Sequence, residues 1–165
     1  MAQSRGPRRH ARVREAATPR YAASTSSSDL TGVVFDSDVI IEILRGRRAV
    51  VVAAVALEQS PIPTFCTAIS WAEVYAGMRP REESPTRAFL EARGEVVLDG
   101  RVGRQAGAYL ARYARSHGVE IADALIAAAA VTSGLRLWTL NRKHYPMDDL
   151  QFFEPSPPTA ASRSR

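Results

Sequence analysis

Short, continuously apolar runs alternate along the chain with longer segments in which apolar residues recur at helical spacing. The run from Val33 to Phe35 is typical of a strand that is buried on both faces of a sheet. Further strands are predicted over residues 62–66, 96–98, 135–140 and, as a fifth, 151–153. Helices are predicted over residues 39–44, 49–57, 70–78, 85–92, 101–117 and 121–133. This alternation favours an α/β fold of three layers, in which helices flank a parallel sheet of four to five strands.

Both ends of the chain lack this alternation. Residues 1–28 contain six arginines and one acidic residue among Ser, Ala and Pro, so we expect a disordered basic extension. Such a segment is typical either of an organellar transit peptide or of sequence upstream of the true start codon, and the abrupt beginning of the core favours the second interpretation. Residues 155–165 are expected to form a second disordered tail, which leaves residues 29–154 as one folded domain.

The formal net charge of +5 belongs to the N-terminal extension, because the rest of the chain has equal numbers of basic and acidic residues. The folded part is therefore not a basic nucleic-acid binder by composition, and contact with RNA would depend on local cations and a metal. Cys66 is the only cysteine, which excludes an internal disulfide and fits a reducing, cytoplasmic location. The longest apolar run is far shorter than a membrane span, so no membrane association is expected.

Acidic residues lie at the carboxyl ends of several predicted strands. Asp36 directly follows the first strand, Glu73 lies in the first turn of the helix after the second, and Asp123 lies in the first turn of the helix before the fourth. Helices in such a fold run antiparallel to the strands, so all three acids, and Asp99 as well, are expected at one edge of the sheet. Carboxylates in one place repel each other, and a divalent cation removes that cost. Oxygen ligands alone suit Mg²⁺ or Mn²⁺, which polarise phosphate oxygens and activate water.

Each acid also has a purely structural interpretation. Asp36 can cap the helix that follows it. Ser70 and Glu73 have the spacing of a capping box. Asp123 can interact with the dipole of its helix, and Asp99 is more typical of a turn or a cap than of a site. The convergence of three acids on one edge is what favours a functional site over these interpretations.

The segments around these acids resemble PIN-domain proteins of the VapC type. The stretch VVFDSDVIIEILRG resembles their opening motif, TAISWAEVYAG the second, and IADALIAAAAVTSGLRLWTLNRKHYP the third and fourth. The resemblance covers about residues 32–154 and implies a PIN-like fold. It also implies a Mg²⁺-dependent endoribonuclease, in which Mn²⁺ can substitute, acting on tRNA or ribosomal RNA as the toxin of a toxin–antitoxin system. The partners that it implies are a VapB-type antitoxin encoded beside it and a second copy of the chain in a homodimer.

The resemblance assigns roles to residues at matching positions. Asp36, Glu73 and Asp123 fall on the acidic, metal-binding and catalytic positions. Ser37 falls on the small hydroxyl position that supports the first acid, and Asp38 stands beside it as a second supporting residue.

The chain departs from the family pattern at the fourth acidic position, which holds Asn141. An amide contributes an oxygen without a charge, so we expect Asn141 to be a weak metal ligand and only one metal to be held well. Arg142, Lys143 and His144 follow directly and lie nearest the predicted site. They are the candidate RNA contacts, through the phosphate backbone.

Two other functions remain open from the sequence. The missing fourth acid is compatible with a catalytically degenerate PIN module that only binds RNA or a partner. A phosphatase of the HAD type is the third candidate, because Asp36 and Asp38 imitate its opening motif and Asp148-Asp149 its closing acid pair. That enzyme needs a lysine well upstream of the acid pair, whereas the only lysine, Lys143, is five residues before it.

Overall fold

The computed structural model describes residues 32–156; the predicted extension 1–28 and residues 157–165 of the predicted tail lie outside this range. Within the range, the strands are β1 (Val33–Phe35), β2 (Thr64–Thr67), β3 (Gly94–Val96) and β4 (Arg136–Trp138). The α-helices are α1 (Ser37–Leu44), α2 (Arg48–Glu58), α3 (Ala68–Gly77), α4 (Glu83–Glu91), α5 (Gly100–His117) and α6 (Ile121–Thr132). Short 3₁₀ turns occupy Pro80–Glu82 and Arg142–His144.

The four strands form one parallel sheet in the order β3-β2-β1-β4. β1 lies inside the sheet, and its Val33 pairs with Thr64 of β2 and with Arg136 of β4. The predicted fifth strand is reduced to a single parallel bridge between Leu137 and Phe152. The predicted parallel α/β fold is thus confirmed, with four strands.

Helices cover both faces of the sheet, which confirms the three-layer prediction. Val33 and Phe35 belong to a core cluster shared with α1, α2, α3 and α4, whereas Val34 faces a second cluster built on α5, α6 and residues 145–150. All three β1 side chains are fully buried, as the continuous apolar run predicts. Because β1 is held from both sides, the residue that follows it is placed firmly at the carboxyl edge of the sheet.

The start of α3 differs from the prediction and changes the interpretation of Glu73. The helix begins at Ala68, and the side chain of Thr67 caps it by accepting a hydrogen bond from the Ser70 amide at 3.3 Å. Ser70 therefore lies inside the helix, where its hydroxyl donates to the carbonyl of Phe35 at 3.4 Å. The predicted capping box is wrong, and Glu73 lies in the second helical turn rather than the first.

β3 lies two residues earlier than predicted, at Gly94–Val96. Asp99 consequently does not end a strand but caps α5, and its Oδ1 accepts from the amides of Arg101 at 2.9 Å and Val102 at 3.0 Å. The structural interpretation of Asp99 is therefore correct, since its Oδ1 caps α5.

The helices α5 and α6 end as their glycines predict. Gly118 follows α5 with a φ of 67°, a left-handed conformation that favours glycine. α6 is rich in alanine and is buried from Ile126 to Ala130. Nowhere in residues 32–156 is a helix long and apolar enough to span a membrane.

Candidate functional site

Asp36 occupies the carboxyl end of β1 and also caps α1. Its Oδ1 accepts from the Ser37 amide at 2.7 Å, and its Oδ2 accepts from the hydroxyl of Tyr145 at 2.8 Å. Only 7% of the residue is exposed. Burial, with a further contribution from the charge of Asp38, raises the pKa of Asp36 to about 6, although hydrogen bonds from Thr139, Tyr145 and Ser37 oppose the rise. Asp36 is therefore both the cap and a buried carboxylate with a perturbed pKa.

Asp38 connects α1 to the turn after β4. Its Oδ2 accepts from the Leu140 amide at 3.0 Å and from the Thr139 hydroxyl at 3.3 Å. Burial raises the pKa of this carboxyl as well. Asp38 therefore has a structural role, because its carboxylate fixes the backbone directly before Asn141.

Ser37 links the first acid to Glu73. Its hydroxyl donates a short hydrogen bond to Oε2 of Glu73, which lies on α3 and is exposed. Because Ser37 also supplies the amide that Asp36 accepts, one residue orients both carboxylates. This places Ser37 in the supporting position that the resemblance implies.

Asp123 lies in the first turn of α6, facing the 3₁₀ turn after β4. Burial raises its pKa, and the charge of Glu73 adds to the rise, while the backbone at Glu120 and the charge of His144 oppose it. Nδ1 of His144 lies 3.7 Å from Oδ2 of Asp123, and Nε2 of His144 lies 3.0 Å from the side-chain amide nitrogen Nδ2 of Asn141. His144 thus bridges the third acid and the residue in the fourth position.

Tyr145 is part of the site, although sequence reasoning gave it no role. It is 4% exposed, and burial together with the charges of Asp36, Asp123 and Asp38 raises the pKa of its hydroxyl. One buried phenol therefore lies within electrostatic reach of three acids. An aromatic residue at this position indicates only a core side chain, so the sequence carries no signal for the hydroxyl.

Replacement of Tyr145 by Phe removes this hydroxyl and retains the ring. We expect the pKa of Asp36 to rise further, by about 1, because the carboxylate loses a hydrogen bond that favours its charged form. Carboxyl ¹³C NMR titration of the metal-free protein measures it. The matched control is Tyr113→Phe, which removes a hydroxyl bound to the distant Asp148. An Asp36 pKa that is the same in both variants would contradict the assigned hydrogen bond.

The acids share one edge but do not converge on a point. Within the part of the chain that the structure describes, no group of three His, Cys, Asp or Glu side chains is close enough to hold a metal ion in this conformation. The donor chemistry nevertheless fits a hard cation, since every candidate ligand offers oxygen. Burial raises the pKa values of Asp36, Asp38 and Asp123, and a bound cation would offset the cost of ionising these acids.

The candidate RNA contacts differ in how they are held. The guanidinium of Arg142 stacks over the ring of Phe152 at 4.7 Å and forms an ion pair with Glu154. Lys143 is exposed to solvent, and His144 is turned towards Asp123. Of the three residues, Lys143 is therefore the one that residues 32–156 leave most available to a phosphate.

The acid pair that suggested a phosphatase lies away from this edge. Asp149 accepts from the hydroxyl of Tyr109 at 2.8 and 2.9 Å, and Asp148 pairs with Arg112 at 3.0 Å. Both acids are therefore bound to α5. The phosphatase interpretation is wrong, because its closing acid pair does not approach Asp36.

Comparison with known families tests the resemblance seen in the motifs. The PIN domain family matches residues 33–150. The chain belongs to the PIN domain family. This PIN domain is 35% identical over 137 residues to ribonuclease VapC10 of Mycobacterium tuberculosis, which covers 81% of the chain and 97% of the relative. It is 31% identical to ribonuclease VapC19 of the same species, over 72% of the chain and 96% of the relative.

Solved structures support the same fold. The structure of DNA-bound VapBC from Salmonella typhimurium matches this PIN domain with a TM-score of 0.64 at 18% identity, over 74% of this chain and 96% of the other. Identity at this level shows the fold alone. The resemblance seen in the motifs is thereby confirmed at the level of family and fold.

Proposed function

We propose that this PIN domain is a metal-dependent endoribonuclease that acts as the toxin of a VapBC-type toxin–antitoxin pair. The observation that carries the proposal is the group of acids at the carboxyl edge of the sheet. Among them, Asp36 is buried, and its burial raises its pKa to about 6. The ribonuclease names of its relatives support the reaction class. Acids grouped in this way can hold a cation that activates a water molecule, so that RNA is hydrolysed without a protein nucleophile.

Asp36, Glu73 and Asp123 would hold the cation, with Asn141 as a weaker oxygen ligand. Mg²⁺ fits the oxygen donors best, and Mn²⁺ can substitute for it. When bound, the ion would supply charge stabilisation at the phosphate and lower the pKa of a bound water. The acids must move closer together for this, and Glu73, which is exposed on α3, would have to change its hydrogen bond with Ser37.

The protein's own residues would orient the acids and contact the substrate. Ser37 and Tyr145 hold the carboxylate of Asp36 from opposite oxygens, so its direction is set before RNA arrives. Lys143 and His144 follow β4, and His144 lies beside Asp123; from there both would contact phosphate oxygens. The substrate that we propose is tRNA or ribosomal RNA, on the strength of the family resemblance.

The proposed regulator is a VapB-type antitoxin. The structural neighbour from Salmonella typhimurium is a VapBC complex bound to DNA, and the family resemblance implies a matching partner here. We also propose a homodimer. Co-expression with the adjacent reading frame, followed by co-purification, tests the first of these assemblies, and light scattering tests the second.

A second candidate function is an inactive PIN module that binds RNA or a partner without cleaving it. Two observations favour it: Asn141 replaces an acid, and the described acids do not close around one point. Such a module would bind RNA equally well with Mg²⁺ or with a chelator and would leave it intact.

Cleavage assays with the purified full-length chain distinguish the two functions. We expect total tRNA and ribosomal RNA to be cut at defined sites in Mg²⁺ and to remain intact in EDTA. Conditional expression followed by mapping of new RNA 5′ ends identifies the bond. Intact RNA in both Mg²⁺ and Mn²⁺, with binding retained, would establish the module instead.

Glu73→Gln tests the proposed role of the exposed acid. Since α3 is capped by Thr67, the substitution leaves the helix end untouched, and glutamine still accepts the hydrogen bond from Ser37. We expect unchanged thermal stability and cleavage that is slower by about 10-fold or more. Initial rates at saturating Mg²⁺, compared with Glu91→Gln on the neighbouring α4, measure the effect. Full activity of the variant would show that Glu73 is structural.

A further inference from the structure

Asp36 and Asp38 converge on a single hydroxyl group. Thr139 donates its one hydroxyl hydrogen to Oδ2 of Asp38 at 3.3 Å, and the same hydroxyl is close enough to Asp36 to lower the pKa of that carboxyl. The charge of Asp38 also raises the pKa of Asp36, so the two carboxylates lie near each other. Two acids that share one donor leave oxygen lone pairs without a partner.

The unsatisfied oxygen can be identified. Oδ2 of Asp38 is bound by the Leu140 amide, whereas Oδ1 is buried and accepts no hydrogen bond of ordinary geometry within residues 32–156, although the nearby Val39 amide lowers the pKa of the carboxyl. Burying a carboxylate oxygen without a donor is unfavourable unless a cation or a water molecule satisfies it. An acid at this position is therefore explained by a bound positive charge better than by its contacts with the turn, which an amide would make equally well.

The same hydroxyl also connects to the position of the missing acid. The backbone N–H of Asn141 donates to Oγ1 of Thr139 at 3.0 Å, so the Thr139 hydroxyl connects Asp38 to the backbone of position 141. The side chain of Asn141 carries no charge, whereas Asp38, held by the same hydroxyl, does. The carboxyl edge of the sheet therefore still carries four carboxylates, which belong to Asp36, Asp38, Glu73 and Asp123.

We propose that Asp38 is the fourth carboxylate of the cation site and supplies the negative charge that Asn141 lacks. The inference rests on the proposed function, because it requires that Asp36, Glu73 and Asp123 bind a divalent cation. It assigns Asp38 a binding role in addition to its contact with the turn after β4.

Mn²⁺ binding to the full-length protein, followed by electron paramagnetic resonance, tests the assignment without relying on cleavage. Asp38→Asn retains an acceptor for the Leu140 amide and removes the charge. We expect its Mn²⁺ dissociation constant to rise about 10-fold or more relative to wild type. The matched control is Asp99→Asn, which removes the charge of an exposed helix cap and should change binding less than twofold.

Asn141→Asp completes the cycle of variants. In the Asp38→Asn background it should restore Mn²⁺ binding to within about threefold of wild type, and alone it should tighten binding by less than about threefold. A gain of tenfold or more for Asn141→Asp alone would mean that the wild-type site lacks this charge, which overturns the inference even if Asp38→Asn fails to fold.

The failure of the inference differs from the failure of the proposed function. If Asp38→Asn binds Mn²⁺ as tightly as wild type while Asp36→Asn does not, the cation site stands and Asp38 is only structural. If wild type itself binds no Mn²⁺, the cation site and the role of Asp38 are both overturned.

Discussion

Asp36→Asn and Asp123→Asn should each reduce RNA cleavage by at least about 100-fold, because each removes a charged oxygen that directly holds the proposed cation. Asparagine is close in size to aspartate and still caps α1 at position 36, so the fold should be retained. Cleavage of the mapped RNA site by the purified variants, at equal protein concentration, measures the loss.

The control for these variants is Asp99→Asn. Asp99 is an exposed acid whose Oδ1 caps α5, so its replacement should leave the rate within about twofold of wild type. Cleavage by Asp36→Asn or Asp123→Asn at the wild-type rate would remove that acid from the site. Circular dichroism of each variant separates loss of activity from loss of fold.

The metal-free protein should lose stability as the pH rises, because Asp36 is buried and its pKa is raised. The folded state raises the pKa of this carboxyl from 3.8 to about 6, so it binds the proton more tightly than the unfolded chain does. The contribution to stability is complete below pH 4 and is lost as the pH rises through 6. This difference between the pKa values of the folded and unfolded states makes the free energy of unfolding about 3 kcal/mol lower at pH 7 than below pH 4.

The comparison of wild type with Asp36→Asn isolates this effect from the other titrating groups. Asparagine does not titrate, so the variant should gain stability over wild type by about 3 kcal/mol between pH 4 and pH 7.5 in the presence of EDTA. Urea unfolding at both pH values measures it. Saturating Mg²⁺ should stabilise wild type at pH 7.5 and leave the variant unaffected. A stability difference that does not vary with pH would contradict the burial of an ionised Asp36.

The parallel sheet could be predicted, although its strand order could not, because apolar strands alternate with helices along the chain. Val33, Val34 and Phe35 are continuously apolar, which is typical of a strand buried on both faces, and this places Asp36 at the carboxyl edge. Once the sheet is parallel, the antiparallel helices bring Glu73 and Asp123 to the same edge. The convergence of these acids thus follows from topology and needs no knowledge of side-chain contacts.

Element boundaries could not be predicted where two sequence signals compete. Thr67 and Ser70 are both good helix caps, and Glu73 completes a capping box only with Ser70, so local chemistry favoured the wrong start of α3. At the sheet edge, the apolar run at Val97 suggested a strand, yet Val97 is 68% exposed and β3 ends before it. Apolar content does not specify an edge strand that is only partly buried.

The hydrogen-bond network of the site was also beyond prediction. Tyr145 reaches Asp36 across 109 residues of sequence, and Thr139 reaches Asp38 across 101. Such contacts depend on the direction of individual side chains after packing, which periodicity does not encode. The acids were therefore predictable as a group, whereas the residues that orient them were not.

Anomalous diffraction from crystals grown with Mn²⁺ tests most directly whether the acids at this edge bind a divalent ion. We expect one strong peak bounded by the carboxylate oxygens of Asp36, Glu73 and Asp123, and no such peak in crystals of Asp36→Asn. A protein that cleaves RNA in Mn²⁺ but shows no peak between these acids, or shows its peak elsewhere on the surface, would contradict a metal centre at the carboxyl edge of the sheet.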